Sequence, residues 1–195
     1  MKKSLIHLAV AAAIASLSPV TRARTHDVAF QFRMGAGFPG DVNRTHPASI
    51  IAGLMDQTNI VRLFGDIVLT GTNAYRGILS SDTATLNAAG VAVRPYPTQQ
   101  ASGGMSSTFG VGAPATNQPL DIINDGYVIV KCNVGTPAKG GAVYVYTGAS
   151  TGSHVQGSGV ETSAGANLTL VSNMMFNGPA DANGYCEVRV IPAVA

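Results

Sequence analysis

Two short motifs match patterns associated with cofactor binding or nucleophilic catalysis. The first, residues 35–40 (GAGFPG), has the letters of the dinucleotide fingerprint GxGxxG. That fingerprint binds pyrophosphate only when a helix N-terminus follows the glycines within a βαβ unit. Pro39 and the turn-forming residues of 41–47 prevent such a helix. The sequence therefore predicts a turn-rich arm here and no cofactor site.

The second motif, residues 148–152 (GASTG), matches the GxSxG of a nucleophile elbow. An elbow needs a helix after the serine, followed by an acid and then a histidine. His154 is the one histidine after Ser150, and no acidic residue lies between the two. This pattern favours a flexible hairpin loop over a hydrolase site.

Residues that could bind a metal are scattered, without the spacing of a known metal site. There is no HxH, HExxH or CxxC pattern. Asp121 and Asp125 flank Ile-Ile-Asn before a strand, which is more typical of a turn than of a calcium loop. We therefore expect a non-enzymatic protein with no catalytic residues, no metal and no cofactor.

Cys132 and Cys186 each lie inside a strand-like run. Two free, buried thiols are the favoured interpretation, and a disulfide becomes plausible only if the chain is exported.

Charge argues against a nucleic-acid partner. Charged residues make up 11% of the 195 residues, against about 25% in an ordinary soluble domain. Residues 1–28 carry four basic residues and one acidic residue, which leaves eight basic and nine acidic residues for 29–195. The body of the chain therefore has no basic stripe for phosphates, and we expect no direct contact with nucleic acid.

Residues 1–28 resemble a secretory signal, with Lys2 and Lys3 before an apolar run, Leu5–Leu17. This run is too short to span a bilayer of about 30 Å, so we expect no membrane anchor. Thr21-Arg22-Ala23 would be a poor cleavage site. A retained N-terminal arm and a misplaced translation start are the alternatives to a cleaved signal.

The remaining pattern predicts an all-β protein. Short runs rich in β-branched and aromatic residues alternate with Gly, Pro, Asn and Asp. The predicted strands are Ile60–Leu63, Asp66–Thr70, Ala74–Leu79, Val91–Arg94, Thr108–Val111, Gly126–Val134, Ala142–Thr147, His154–Gln156, Leu168–Val171, Met174–Asn177 and Tyr185–Ile191.

This pattern favours a single β-sandwich, jelly-roll-like or barrel domain with an extended N-terminal arm. We divide the chain into a leader or extension (1–28), the arm (29–58) and a β-rich domain (59–195). Pro47–Met55 could hold one short helical turn, and residues 95–119 and 150–167 are predicted loops.

Three segments together resemble the structural cement, or capsid decoration, family of tailed phages and prophages. They are residues 30–47 (FQFRMGAGFPGDVNRTHP), 138–145 (AKGGAVYV) and 176–189 (FNGPADANGYCEVR). The resemblance covers roughly residues 29–191. It implies a non-enzymatic virion protein that binds the outer surface of the capsid, bridges major capsid protein subunits and stabilises the shell. We expect it to form a dimer or trimer.

The same resemblance makes the arm the candidate contact with the capsid. Four of its residues could serve as apolar anchors and three as ionic contacts. The candidate residues are Phe30, Phe32, Phe38 and Pro39, then Arg33, Asp41 and Arg44. Alternatively, the first two phenylalanines belong to the core of a first strand, and Asp41 with Asn43 closes a turn.

A second hypothesis is an exported β-sandwich subunit of a bacterial surface or pilus-like assembly. It accounts for the leader, the low charge and the two cysteines. It predicts a secreted or periplasmic location and a bond between Cys132 and Cys186.

Overall fold

Strands alone make up the regular structure of the described residues. The computed structural model describes residues 37–44, 47–59, 61–94, 114 and 118–193, and in these residues it contains nine β-strands and no helix. The strands are β1 (Ser49–Leu54), β2 (Ile67–Thr70), β3 (Tyr75–Arg76), β4 (Gly90–Ala92), β5 (Pro119–Val134), β6 (Ala142–Tyr146), β7 (Val160–Glu161), β8 (Leu168–Phe176) and β9 (Tyr185–Val190).

Five strands close into a barrel. β5 pairs with β9, β9 with β8, β8 with β6, β6 with β7, and β7 again with β5. Only the contact between β5 and β7 is parallel. The strands alternate inward and outward side chains, and most inward positions are valine, which packs well on a pleated surface. The interior is completed by Met174, Phe176 and both cysteines.

The long strand β5 also belongs to a second sheet, here called the open sheet, whose end strands are joined in the described residues by a single bridge between Met55 and Tyr75. Its residues Ile122 and Ile123 pair with β1 and with β4, which therefore lie on opposite edges of β5. β4 pairs in turn with β2, and β2 with β3. Along β2, Ile67 and Leu69 pack into the core shared with the barrel, while Val68 packs into a second cluster on the other face.

Gly126 lies where β5 passes from the open sheet into the barrel. Its φ of +144° is a conformation that other residues rarely adopt. A Cβ atom there would come within 2.7 Å of the Ile123 Cδ1 atom and 2.8 Å of the Pro47 carbonyl oxygen. Glycine therefore allows the backbone of β5 to pass from one sheet into the other at this point.

The all-β prediction is confirmed, and several predicted strands recur with changed bounds. The predicted helical turn in Pro47–Met55 is wrong, because Ser49–Leu54 forms β1. The turn at Asp121–Asp125 is also wrong, because these residues are the open-sheet half of β5. The two predicted strands Leu168–Val171 and Met174–Asn177 are one strand, β8.

Other differences are local. Val61–Leu63 and His154–Gln156 are not strands, and the predicted loop 150–167 contains β7. Thr108–Val111 lies outside the described residues. Both cysteines are free and buried, as the favoured interpretation expected. The division into leader, arm and β-rich domain stays a prediction.

Candidate partner-binding surface

The segment Phe38–Arg44, here called the anchor segment, begins with a tight turn. The Asp41 N–H donates to the Phe38 carbonyl at 3.0 Å, and the Asp41 carboxylate accepts from the Phe38 N–H at 2.8 Å. Gly40 has a φ of +87°, which suits a glycine at this point of the turn. Asp41 therefore fixes the backbone on which Phe38 is presented.

Backbone hydrogen bonds hold the anchor segment against the rest of the domain. The Gly40 N–H donates to the Ile129 carbonyl at 2.8 Å, and the Ile129 N–H donates to the Asp41 carbonyl at 2.9 Å. The Arg94 N–H donates to the Gly40 carbonyl at 3.0 Å. Val42 forms a further antiparallel bridge with Val128. The segment therefore pairs with the barrel half of β5 and is not a free tail.

Phe38 is an exposed aromatic residue on a fixed backbone. Its side chain is 42% exposed, and the Arg94 guanidinium lies 5.1 Å from the ring centre. Arg94 also donates to the Pro39 carbonyl at 3.4 Å and lies 3.7 Å from an Asp41 carboxylate oxygen. Pro39 itself packs closely on Gly65, where an added Cβ would be 2.6 Å from the Pro39 Cβ. An aromatic side chain held in this way loses little conformational entropy when a partner covers it.

Arg44 ends the segment and reaches the outer face of the barrel. Its Nε and Nη2 atoms donate to the two Glu187 carboxylate oxygens at 3.2 and 3.0 Å. Its guanidinium also lies 4.5 Å from the centre of the Tyr127 ring, and Arg189 lies 5.1 Å from the same ring. The hydrogen bond to Glu187 raises the pKa of Arg44, which keeps the guanidinium charged.

Four of the predicted contact residues lie in the described part of the chain: Phe38, Pro39, Asp41 and Arg44. They are close in sequence and are held by one set of contacts. Phe38 and Arg44 keep large exposed surfaces, whereas Asp41 mainly closes the turn, as the alternative interpretation had it. The candidates Phe30, Phe32 and Arg33 lie outside the described residues.

The sequence analysis did not identify the barrel residues that hold the anchor segment in place. The alternation of Tyr185–Val190 does indicate that Glu187 and Arg189 point outward. It gives no sign that Glu187 meets Arg44 across 143 positions of sequence, because only the register of β5 and β9 brings them together.

The GxSxG motif forms a loop without the geometry of a nucleophile elbow. The N–H groups of Thr151 and His154 each donate to the other residue's carbonyl at 3.0 Å. The Ser150 hydroxyl accepts from the Gln156 N–H, while the His154 Nδ1 atom lies 2.8 Å from the buried Glu161 carboxylate. The hydrogen bonds of the described loop therefore do not join the serine to the histidine.

Within the part of the chain that the structure describes, no three His, Cys, Asp or Glu side chains come close enough to hold a metal ion. The same residues include no helix of the length and apolar character needed to cross a membrane.

A solved structure shares this fold. It is a chain from "The capsid of Myoviridae Phage XM1", with a TM-score of 0.59 and 20% sequence identity. The match covers 83% of the present chain and 96% of the phage XM1 chain. At this identity the likeness concerns the fold alone. No curated protein matches the sequence.

A match of the sequence to a family model places the protein among phage structural proteins. Residues 27–191 match the family model described as structural cement protein (E217 gp24/Pam3 gp6). The chain therefore belongs to the phage structural cement protein family, and its role is a structural one in the phage capsid.

Proposed function

We propose that the protein binds the outer surface of an assembled phage head, bridges neighbouring major capsid protein subunits and stabilises the shell. The family match over residues 27–191 is the observation that carries this proposal. The proposed role is non-enzymatic and places the protein on the outside of the virion. It includes contact between copies as well as contact with the capsid.

The anchor segment is the proposed start of the capsid contact. Phe38 supplies an exposed aromatic surface, and the backbone bonds of Gly40 and Asp41 hold it in place. Aromatic residues held on a rigid backbone are typical of residues that dominate binding energy. Phe30, Phe32 and Arg33 precede this segment and extend the proposed contact along the arm, and many equivalent copies add avidity around the shell.

Two variants test the contact on heads that lack this protein. Phe38→Ser removes the exposed ring, and a chain without residues 1–36 lacks the leader and the first part of the arm but keeps the anchor segment. Met175→Ser is the matched control, because Met175 is an exposed apolar residue on β8, with 39% exposure against 42% for Phe38. Binding is measured by co-sedimentation with the heads, and shell stability by the temperature at which the heads release DNA.

We expect Phe38→Ser to weaken binding by at least about tenfold. The truncated chain should bind more weakly still, while Met175→Ser binds like the natural chain. Full binding and full stabilisation by both the Phe38→Ser and the truncated chains would exclude residues 29–36 and the Phe38 ring as the capsid contact.

A further inference from the structure

The anchor segment lies between the two sheets. On the barrel side, the Ile129 N–H donates to the Asp41 carbonyl, and the Gly40 N–H donates to the Ile129 carbonyl. On the side of the open sheet, the Arg94 N–H, just beyond β4, donates to the Gly40 carbonyl at 3.0 Å. Gly40 is therefore bonded to both sheets, and the place of the neighbouring Phe38 depends on how the two sheets are held relative to each other.

Residues 63–66, here called the platform turn, complete the support of the anchor segment on the side of the open sheet. An added Cβ at Gly65 would be 2.6 Å from the Pro39 Cβ and 2.9 Å from the Gly40 nitrogen. An added Cβ at Gly40 would likewise be 2.9 Å from the Phe64 Cβ. The two backbones are thus in direct contact, and a movement of the platform turn is transmitted to Pro39 and Gly40.

The Asp66 side chain closes the platform turn and also reaches the barrel. Its Oδ2 atom accepts from the Leu63 N–H at 2.8 Å, while the Asp66 N–H donates to the Leu63 carbonyl at 3.3 Å. Its Oδ1 atom accepts from the Ser158 hydroxyl at 2.9 Å and from the Gly159 N–H at 3.0 Å. One carboxylate, 3% exposed as a residue, therefore joins the platform turn to the segment that precedes β7.

The barrel end of this connection lies on the same edge of β5 as the anchor segment. An added Cβ at Gly159, just before β7, would be 2.8 Å from the Lys131 carbonyl oxygen. Ile129 and Lys131 are two residues apart, so their backbone groups point to the same edge of β5. The anchor segment and β7 are therefore successive neighbours along this edge, and Asp66 is bonded to the barrel close to the anchor segment.

We propose that Asp66 is a positioning residue of the anchor segment. By joining the platform turn to the barrel, it sets the gap between the two sheets in which Pro39 and Gly40 lie, and with it the position of the Phe38 ring. Asp66 is buried and acts on a partner only through the platform turn. The inference rests on the proposed function, because it assigns Asp66 a part in the capsid contact made by Phe38.

The hydrogen-bond donors around Asp66 require a carboxyl group at this position. Two backbone N–H groups, of Leu63 and Gly159, donate to different oxygens of the side chain. A carboxylate accepts from both, and a protonated carboxyl does so too, because the Ser158 hydroxyl can accept the added proton. An amide has one acceptor oxygen and leaves one N–H unpaired. Since the Gly159 contact is the more deeply buried, we expect the amide to keep it and the platform turn to lose its closing bond.

Hydrogen exchange of the purified chain, followed by NMR, tests this role without capsids. The measured quantity is the exchange rate of the Gly40 N–H relative to that of the Val188 N–H on β9, which reports opening of the whole barrel. We expect Asp66→Asn, which has nearly the same shape, to raise this ratio at least about tenfold. Asn173→Ala is the matched control, because it removes another buried contact between the sheets, with Ala88, outside the platform turn. It should change the ratio by less than about twofold.

Ser158→Ala provides a second, milder variant of the same contact. It removes one of the three donors to Asp66 but leaves both backbone N–H groups paired, so the ratio should rise by about threefold. This variant decides the test if Asp66→Asn does not fold. A ratio no higher than that of Asn173→Ala, in Asp66→Asn or in the variant that replaces it, would overturn the proposal.

Co-sedimentation with heads that lack this protein tests the functional consequence. At a temperature where all variants are folded, Asp66→Asn should bind at least about tenfold more weakly than the natural chain, and Asn173→Ala should bind like it. Faster exchange in Asp66→Asn together with full binding would overturn the proposal. Full binding by Phe38→Ser would show that the proposed capsid contact is wrong, whereas unchanged exchange in Asp66→Asn would show that the role of Asp66 is wrong, so the two failures are distinguished.

Discussion

The two halves of β5 belong to two sheets that differ in how completely their strand edges are paired. Residues 126–134 are part of a barrel in which every strand has a neighbour on each side. Residues 119–125 are part of the open sheet, whose end strands β1 and β3 meet in the described residues through a single bridge, between Met55 and Tyr75. Closure satisfies the backbone internally, whereas an open sheet leaves hydrogen-bonding groups at its borders. We infer that the barrel supplies most of the stability of the domain.

The two sheets are nevertheless joined by buried polar contacts. The Asp66 carboxylate, beside β2, accepts hydrogen bonds from the Ser158 hydroxyl and the Gly159 N–H, which precede β7. The Asn173 side chain on β8 both donates to and accepts from the Ala88 backbone. Burial makes such groups costly to separate, so the sheets should unfold together.

The largest effect should come from the barrel interior. Phe176→Ala removes a side chain that is 1% exposed, and we expect a loss of about 3–5 kcal/mol in the free energy of unfolding. The adjacent Met175 points outward, and Met175→Ala should change this value by about 0.5 kcal/mol or less. Urea unfolding measures both. Similar losses in the two variants would contradict the assignment of stability to the barrel interior.

The free energy of unfolding should depend on pH through the buried contact of Asp66 between the two sheets. Burial raises the pKa of Asp66 from its usual 3.8 to about 6, against the effect of its hydrogen bonds. Since the folded state holds this proton more tightly than the unfolded state, stability falls as pH rises from about 4 to 7, by about 3 kcal/mol.

For Asp66→Asn we expect no such fall in the free energy of unfolding as pH rises. The measurement is the difference in unfolding free energy between this variant and the natural chain at each pH. Asp121→Asn, at an exposed position of the same sheet, is the matched control. A constant difference between Asp66→Asn and the natural chain across this range would show that Asp66 does not titrate as a buried group.

A smaller effect of opposite sign is expected at Asp82. Burial alone would raise the pKa of this carboxyl, but hydrogen bonds from the Arg76 guanidinium and the Leu79 N–H lower it below its usual value. We expect Asp82→Asn to cost about 1 kcal/mol at pH 7. This cost should shrink as pH falls from about 4 through the lowered pKa of the folded carboxyl, because the natural carboxyl then becomes protonated. Thermal unfolding at pH 7 and pH 3 checks both values, and a cost that persists at pH 3 would point to packing instead of charge.

Period-two alternation was sufficient to predict most of the barrel. Val143 to Tyr146 and Cys186 to Val190 alternate without polar residues on the inward face, and both runs are strands. β8 was divided in the prediction because Asn173 interrupts its apolar pattern. That residue is buried, and its amide is satisfied by the backbone of Ala88 and Ile191, which no local pattern indicates.

The open sheet was harder to predict. Asp121 and Asp125 resembled turn residues, although Asp121 points to solvent while Leu120 and Ile122 point inward. β1 is a strand because it pairs with this part of β5. Once a turn was predicted at Asp121–Asp125, the partner strand of β1 was missing, and a helical turn was predicted in its place. The anchor segment shows the same limit. Its turn is visible in the sequence, but its contacts with Ile129 and Glu187 depend on pairings that form across the whole chain.

The ring of five strands is closed by β9, which is the last strand in chain order among the described residues. Pairings between distant parts of a chain form slowly, and this one must wait until the ribosome has produced residues 185–190. A nascent or prematurely terminated copy therefore exposes the unpaired edges of β5 and β8 and is a target for chaperones and proteases. Synthesis of β9 thus becomes a checkpoint, and we expect only copies that contain it to enter particle assembly.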